Sequence, residues 1–184
     1  MIIGKKVRLR AIEREDIPSF VRWLNDREVT RYLLVNSPFS KAMEEQWFEG
    51  QLKRPPSEGQ VLAIEAKVGD QWLHIGNTGI HQVDNVNHSA EFGIMIGEKA
   101  YWNQGFGGEA TRLALQHGFD DLNLHRVFLR VYANNPRAIA CYKAAGFVQE
   151  GILRDEIYKD GKYIDEIVMG ILKPEWDAQK SRGE

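Results

Sequence analysis

The chain's hydrophobic rhythm changes near residue 60, and that change limits its fold more than any single motif does. "VLAIEAKV" (61–68), "HIGNTGIHQV" (74–83) and "SAEFGIMIG" (89–97) read as three successive strands. The turn-like "GDQW" and "DNVNH" separate them. Upstream, "KVRLRAI" (6–12) alternates Val7, Leu9 and Ala11 with Lys6, Arg8 and Arg10, as a half-buried strand does. "EREDIPSFVRWLND" reads as a helix with Asp16 as N-cap, Pro18 in the first turn and Ile17, Phe20, Val21 and Leu24 on one face. "EVTRYLL" continues helically to "NSPFS", where Pro38 breaks it. Ser40 then caps a helix to Leu52 with Met43, Trp47, Phe48 and Leu52 as its apolar stripe.

After residue 100 the pattern predicts a helix from Gly107 to about Asp121, a strand "RVFLRVYA", and a short helix in "NPRAIACYKAAGF" closed by Gly146. A long hairpin follows, "FVQEGILRDEIY" and "KYIDEIVMGIL", turning at Asp160–Gly161. The order is strand, helices, three strands, helix, strand, helix, two strands. This predicts one mixed α/β domain over residues 1–184, without the regular alternation of a βα repeat.

Composition narrows the function. The formal net charge is −2, so no global positive field gathers nucleic acid or an anionic membrane. The start "MIIGKKVRLRA" does not read as a signal peptide, and no apolar run approaches the roughly 20 residues that span a bilayer. A cytoplasmic protein is expected. Cys141 stands alone, which excludes an internal disulfide framework and a multi-cysteine zinc site. The five histidines lack tight metal-ligand spacing, so no metal is expected.

In "YWNQGFGGEATRLALQHGF" (101–119), glycines run straight into a helical pattern. Such a turn presents free amides to an anion at the positive end of the helix dipole, or it merely allows a tight strand-to-helix connection. Gly105–Ala110 formally satisfies the dinucleotide fingerprint G-x-G-x-x-A. That fingerprint expects an acidic residue about 20 residues on, where this chain's next strand has Arg130 and Tyr132. A P-loop is excluded because no Lys-Ser or Lys-Thr follows the glycines.

Read together and in this order, "GIMIGEKAYWNQGFGGEA" and "NNPRAIACYKAAGF" resemble the GNAT superfamily of acetyl-CoA-dependent N-acetyltransferases. The likeness is to its Rim-like branch, with the ribosomal-protein N-terminal and spermidine/spermine acetyltransferases. It covers essentially the whole chain. It implies a twisted, mostly antiparallel sheet of about seven strands, splayed between the fourth and fifth and flanked by helices. It also implies acetyl-CoA as the cofactor and a homodimer. The family's pyrophosphate loop, R/Q-x-x-G-x-G/A, aligns with Trp102, Asn103, Gln104, Gly105, Phe106 and Gly107, with Trp102 where Arg or Gln is commonest. By this resemblance the amides from Gln104 through Gly108 to Glu109 bind the pyrophosphate. Ile94, Met95 and Ile96 offer main-chain groups to the pantetheine arm, and Asn135 bonds the same arm or serves as a helix cap.

The implied chemistry is attack of an amine on the acetyl thioester through a tetrahedral oxyanion, supported by the strand amide near Met95. Tyr142 is the expected general acid for the leaving thiolate. The amine must be neutral to attack. At pH 7 that costs roughly 4–5 kcal/mol for a lysine-like amine and about 1 kcal/mol for an α-amine. Some Rim-type enzymes have a glutamate on the strand before Asn135, where this chain has Arg130, so Glu91 is the candidate base. His81 is read as a satisfied strand histidine and Cys141 as buried filler. The expected acceptor is a small-molecule amine or a protein N-terminus. A polyamine is the alternative, although "LLVNSPFS" has no acidic cluster and Glu44, Glu45 and Glu49 read as a solvated helix face. A non-catalytic CoA-binding regulator is the reading outside enzymology.

Overall fold

A computed structural model describes residues 1–35 and 38–183. Its strands are β1 (Ile2–Ile3), β2 (Val7–Ala11), β3 (Gln60–Val68), β4 (Gln71–Asp84), β5 (Ser89–Ile96), β6 (Arg126–Tyr132), β7 (Val148–Lys159) and β8 (Lys162–Leu172). The helices are α1 (Ile17–Leu24), α2 (Lys41–Leu52), α3 (Phe106–Gln116), α4 (Pro136–Ala144) and α5 (Lys173–Gly183). All eight strands join one sheet in the order β1-β2-β3-β4-β5-β6-β8-β7. Among the described residues only the β5–β6 pair is parallel. The mixed α/β class and the mostly antiparallel sheet are therefore as expected.

Because side chains alternate across a strand, this sheet feeds two cores. Ile64, Phe92 and Leu129 belong to one, together with Ala110, Leu113 and Ala114 of α3. Ala63 and Met95, one residue out of phase, belong to the other with Ile17, Phe20 and Trp23 of α1 and Phe48 of α2. The helices thus cover opposite faces, and a loop between β5 and β6 has to carry α3 across because parallel neighbours cannot be joined by a tight turn.

Several expectations need correction. The sheet has eight strands where about seven were expected, since β1 is two residues long and shows no alternation. α5 was not foreseen: its sequence is polar on nearly every side, and its anchor is Trp176, stacked on Phe119 at 5.8 Å. Trp23 is buried on α1 while Val21 and Leu24 are only partly so. On α2, Glu44 and Phe48 are buried whereas Met43 and Leu52 are exposed, so the stripe is rotated and Glu44 is not on a solvated face. "EVTRYLL" forms only a short 3-10 turn, Val29–Tyr32, and Leu33 is extended. The break expected at "NSPFS" falls partly on Asn36 and Ser37, outside the described residues. Ser40 does cap α2, its hydroxyl accepting from the Met43 amide at 3.2 Å. The hairpin turns at Asp160–Gly161, both at positive φ.

Asp16 stands directly before α1, but its carboxylate does not cap it. It accepts two bonds from Arg10, at 2.7 and 2.8 Å, and one from the Glu13 amide at 2.8 Å, and lies 3.1 Å from His74 Nδ1. Arg10 also bonds Glu65, which pairs with Arg8 as well. Burial acts to raise the Asp16 pKa, but Arg10, His74 and the Glu13 amide outweigh it and hold the carboxyl well below its usual range. A carboxylate depressed in the folded state contributes stability that is present above about pH 4 and lost as pH falls below it. Asp16→Asn should therefore cost about 3 kcal/mol at pH 7, because it leaves Arg10 underpaired. Urea unfolding should show that difference shrinking at pH 3.

Candidate active site

β5 and β6 pair through only three registers, Ser89–Arg126, Ala90–Val127 and Glu91–Phe128. Beyond Glu91, β5 runs on to Ile96 bonded to β4 alone. Between the parted strands lies a cavity of about 740 Å³, lined from both faces of the sheet. Phe92, Ile94 and Ile96 face the α3–α4 side, and Glu91, Gly93 and Met95 face the other.

On the first side, Gly105 precedes α3 at φ +80°, a left-handed conformation that favours glycine. At Gly107 and Gly108 a Cβ would meet nothing nearer than 3.7 Å, so any need for glycine there comes from what occupies the cavity. The Glu109 amide already donates to Gly105 O, which leaves the unbonded helix-end amides at Phe106, Gly107 and Gly108. Trp102, Asn103, Gly105, Gly107, Gly108, Asn135 and Tyr142 line the cavity with Ile94, Met95 and Ile96, while Gln104, Phe106 and Glu109 do not. The Gln104 amide group donates to Ala100 O at 2.5 Å, and the Phe106 ring packs on Tyr101. The Glu109 carboxylate accepts from the amides of Lys6 and Val7, tying α3 to β2.

The Trp102 indole N–H donates to Ile96 O at 2.8 Å, so it closes the end of the parted strand. The Arg137 guanidinium lies 4.4 Å over that indole. Arg112 and Arg137 both line the cavity, and the sequence reading missed them. The signal was present: Arg112 follows Gly108 by four residues, one helical turn along the same face, and Arg137 stands two after Asn135. Asn135 caps α4, its side chain accepting from the Ala138 amide at 3.2 Å, and it lines the cavity as well.

Tyr142 is half-buried, with its ring edge-on to Phe92 and Phe147. Burial pushes its phenol pKa well above the ordinary value, so it stays protonated through the physiological range. Burial also pushes the Cys141 thiol up against the opposing pull of Arg112, Thr111 and Arg137, which leaves little thiolate for nucleophilic attack.

The opposite side carries His81, Glu91, Arg130, Tyr132 and Glu166, walled by Val29, Tyr32, Leu33 and Leu34. His81 faces Glu91 in the β4–β5 register, and Tyr132 faces Glu166 in the β6–β8 register. The His81 ring occupies the space over Gly79, where a Cβ would come within 2.7 Å of it. Among the described residues no protein hydrogen bond reaches the ring; burial and then Arg54 lower its pKa, so it is neutral at pH 7. Glu91 accepts from Gln82 at 2.9 Å and lies 3.9 Å from Arg130, which is 3.6 Å from Glu166. Among the described residues no group of three or more His, Cys, Asp or Glu is placed to hold a metal.

The model of the GNAT acetyltransferase domain matches residues 6–148. The chain belongs to the GNAT acetyltransferase family. Two similar proteins are an uncharacterized N-acetyltransferase, p20, of Bacillus licheniformis and the spermidine N(1)-acetyltransferase of Vibrio cholerae. The first is 30% identical, with 94% of this chain and 96% of the relative covered. The second is 29% identical, with 95% and 97% covered. The crystal structure of the Vibrio cholerae spermidine N-acetyltransferase, in complex with CoA and spermine, superposes with a TM-score of 0.86 at 28% identity, over 94% of this chain and 99% of that one. This GNAT protein is accordingly an acetyl-CoA-dependent N-acetyltransferase. Gly105→Ala should impose a cost of about 1 kcal/mol for the left-handed backbone, read in thermal unfolding, and should weaken acetyl-CoA binding measured by calorimetry.

Proposed function

We propose that this acetyltransferase passes the acetyl group directly from acetyl-CoA to a small-molecule primary amine, the two meeting in the β5–β6 gap from opposite faces of the sheet. The observation that carries this reading is one cavity lined from both faces. The pyrophosphate takes the free amides of Gly107 and Gly108, with Arg112 and Arg137 adding positive charge. Asn103 and Gly105 shape that loop, while Trp102 contributes a surface and not a donor, since its indole N–H is engaged. The pantetheine arm runs beside Ile94, Met95 and Ile96 and past Asn135. The amide near Met95 supports the oxyanion.

Tyr142 donates its proton to the departing CoA sulfur. On the other face, Glu91 attracts the ammonium form and the neutral His81 imidazole receives the proton that must leave before attack. Holding both reactants in the gap removes much of the entropy cost of bringing them together. A second reading, polyamine acetylation, is supported by the similarity to the spermidine N-acetyltransferases. A protein N-terminus is the remaining class; its lower amine pKa asks least of a base.

The edge strand β7 pairs only with β8 and exposes Val148, Ile152 and Leu153, which supports a homodimer through this strand. In analytical ultracentrifugation the protein should sediment at twice the chain mass, and Ile152→Glu should return it to the monomer.

The test of the catalytic reading is free-thiol release from acetyl-CoA across monoamines, polyamines, aminoglycosides and peptides. Tyr142→Phe should lower kcat about 100-fold while calorimetric CoA affinity stays within about threefold. An unchanged kcat would remove Tyr142 from the acid role.

A further inference from the structure

The amine side of the cavity contains a pair of groups that neither the resemblance nor the chemistry above requires. Glu166 is 4% exposed and Tyr132 likewise 4%, and they stand opposite one another on β8 and β6. Both line the cavity. The Tyr132 hydroxyl is buried and has no hydrogen-bond partner. A buried hydroxyl without a partner is costly to a fold, so its retention points to a ligand that supplies the missing bond. The Glu166 charge acts on it: burial first, and then Glu166, raise the Tyr132 pKa. Glu166 is itself raised by burial, against the pull of Arg130, with Glu156 and Glu91 adding to the rise.

The charge balance of this end limits what fits. Glu91 and Glu166 are the only carboxylates lining the cavity among the described residues, and the Arg130 guanidinium lies within 4 Å of both. Lys159, on the hairpin, adds a further positive charge nearby, its ammonium held by the carbonyls of Thr30 and Leu33 at 2.7 and 2.5 Å and 5.9 Å from the Tyr132 ring. Glu156 acts on Glu166 from outside the lining, as Lys159 does on the positive side, so among the lining groups two carboxylates with one arginine between them leave at most one uncompensated negative charge. A polyamine brings three or four ammonium groups, and burying a charge without a partner is strongly unfavourable. The wall of Val29, Leu33, Leu34 and Met95 is apolar and favours a hydrocarbon body.

We infer that Glu166 and Tyr132 form an acceptor-anchoring subsite, which with Arg130 selects a primary amine of single positive charge and compact apolar body over a polyamine. This rests on the reading of the protein as a small-amine acetyltransferase. Glu166 and the Tyr132 hydroxyl, beside Glu91, receive the acceptor's ammonium before its proton passes to His81, and Arg130 sets the charge that the site tolerates.

The test is steady-state thiol release with acetyl-CoA and either a series of simple aliphatic and arylalkyl monoamines or spermidine. Wild-type protein, Glu166→Gln, Tyr132→Phe and Arg130→Met are compared. Wild type should give a higher kcat/KM with monoamines than with spermidine. Glu166→Gln should raise the monoamine KM about tenfold, the loss of one charged hydrogen bond, with the acetyl-CoA KM unchanged within twofold. Tyr132→Phe should raise the same KM while leaving thermal stability equal or higher, because no protein partner is lost; a purely structural tyrosine would not separate the two readouts. Arg130→Met should shift the kcat/KM ratio toward spermidine. Monoamine KM values within twofold of wild type in both Glu166→Gln and Tyr132→Phe would overturn the subsite while leaving the acetyltransferase reading intact. A wild-type preference for spermidine would overturn the charge selection. No thiol release with any amine, with CoA binding intact, would overturn the small-amine reading and the subsite with it.

Discussion

Everything functional in this molecule depends on two parallel strands that stop pairing after three residues. An antiparallel sheet closes its ladder along the full length of each pair, whereas β5 and β6 meet at Ser89–Glu91 and then diverge. Divergence exposes strand edges that would be costly in a closed core. The chain answers locally at the far end, where the Trp102 indole caps Ile96 O, and leaves the cavity between. The same gap lets residues on opposite faces of one sheet reach a common space. Groups placed on the two sides of the sheet therefore need no domain movement to meet.

The two faces differ in their electrostatics. On the α3–α4 side, helix-end amides and the guanidinium groups of Arg112 and Arg137 make a positive environment suited to phosphate. On the other, neutral His81, carboxylates and Arg130 share the cavity wall with apolar groups. This asymmetry favours an anionic group on one face and a cationic or neutral amine on the other. The β2–β3 end of the sheet is arranged differently. There Arg8, Arg10, Glu65 and Asp16 are paired among themselves, away from the cavity lining, so their charges are spent on holding α1 against β2 and β3.

Much of the architecture was legible because it lies in local signals. Alternating "SAEFGIMIG", the Asp160–Gly161 turn and the Ser40 cap are each decided within a few residues. What was misread depended on partners in other elements. Asp16 looked like a cap, but Arg10 takes its carboxylate with two hydrogen bonds. Glu44 looked solvated, yet the second core turns α2 so that it is buried. That the glycine loop, Tyr142 and Asn135 come together around one cavity follows from elements near one another in sequence, α3 and α4 with the residues before them. Glu166 could not be read in this way, because it lies on a strand with no motif and its relevance comes from β8 pairing with β6.

That last point bears on how acceptor choice can be encoded. The α3–α4 face is fixed by a contiguous loop and the helices that follow it, so its residues are held in one arrangement by local backbone geometry. The opposite face is assembled from β4, β5, β6 and β8, each contributing one or two side chains through sheet register, and from four residues of the turn after α1. A single substitution on any of those strands changes charge or shape at the amine end while leaving the cofactor amides in place. Proteins sharing this fold can therefore keep one donor and differ in acceptor, and Arg130 between two carboxylates is such a local change with a direct electrostatic meaning.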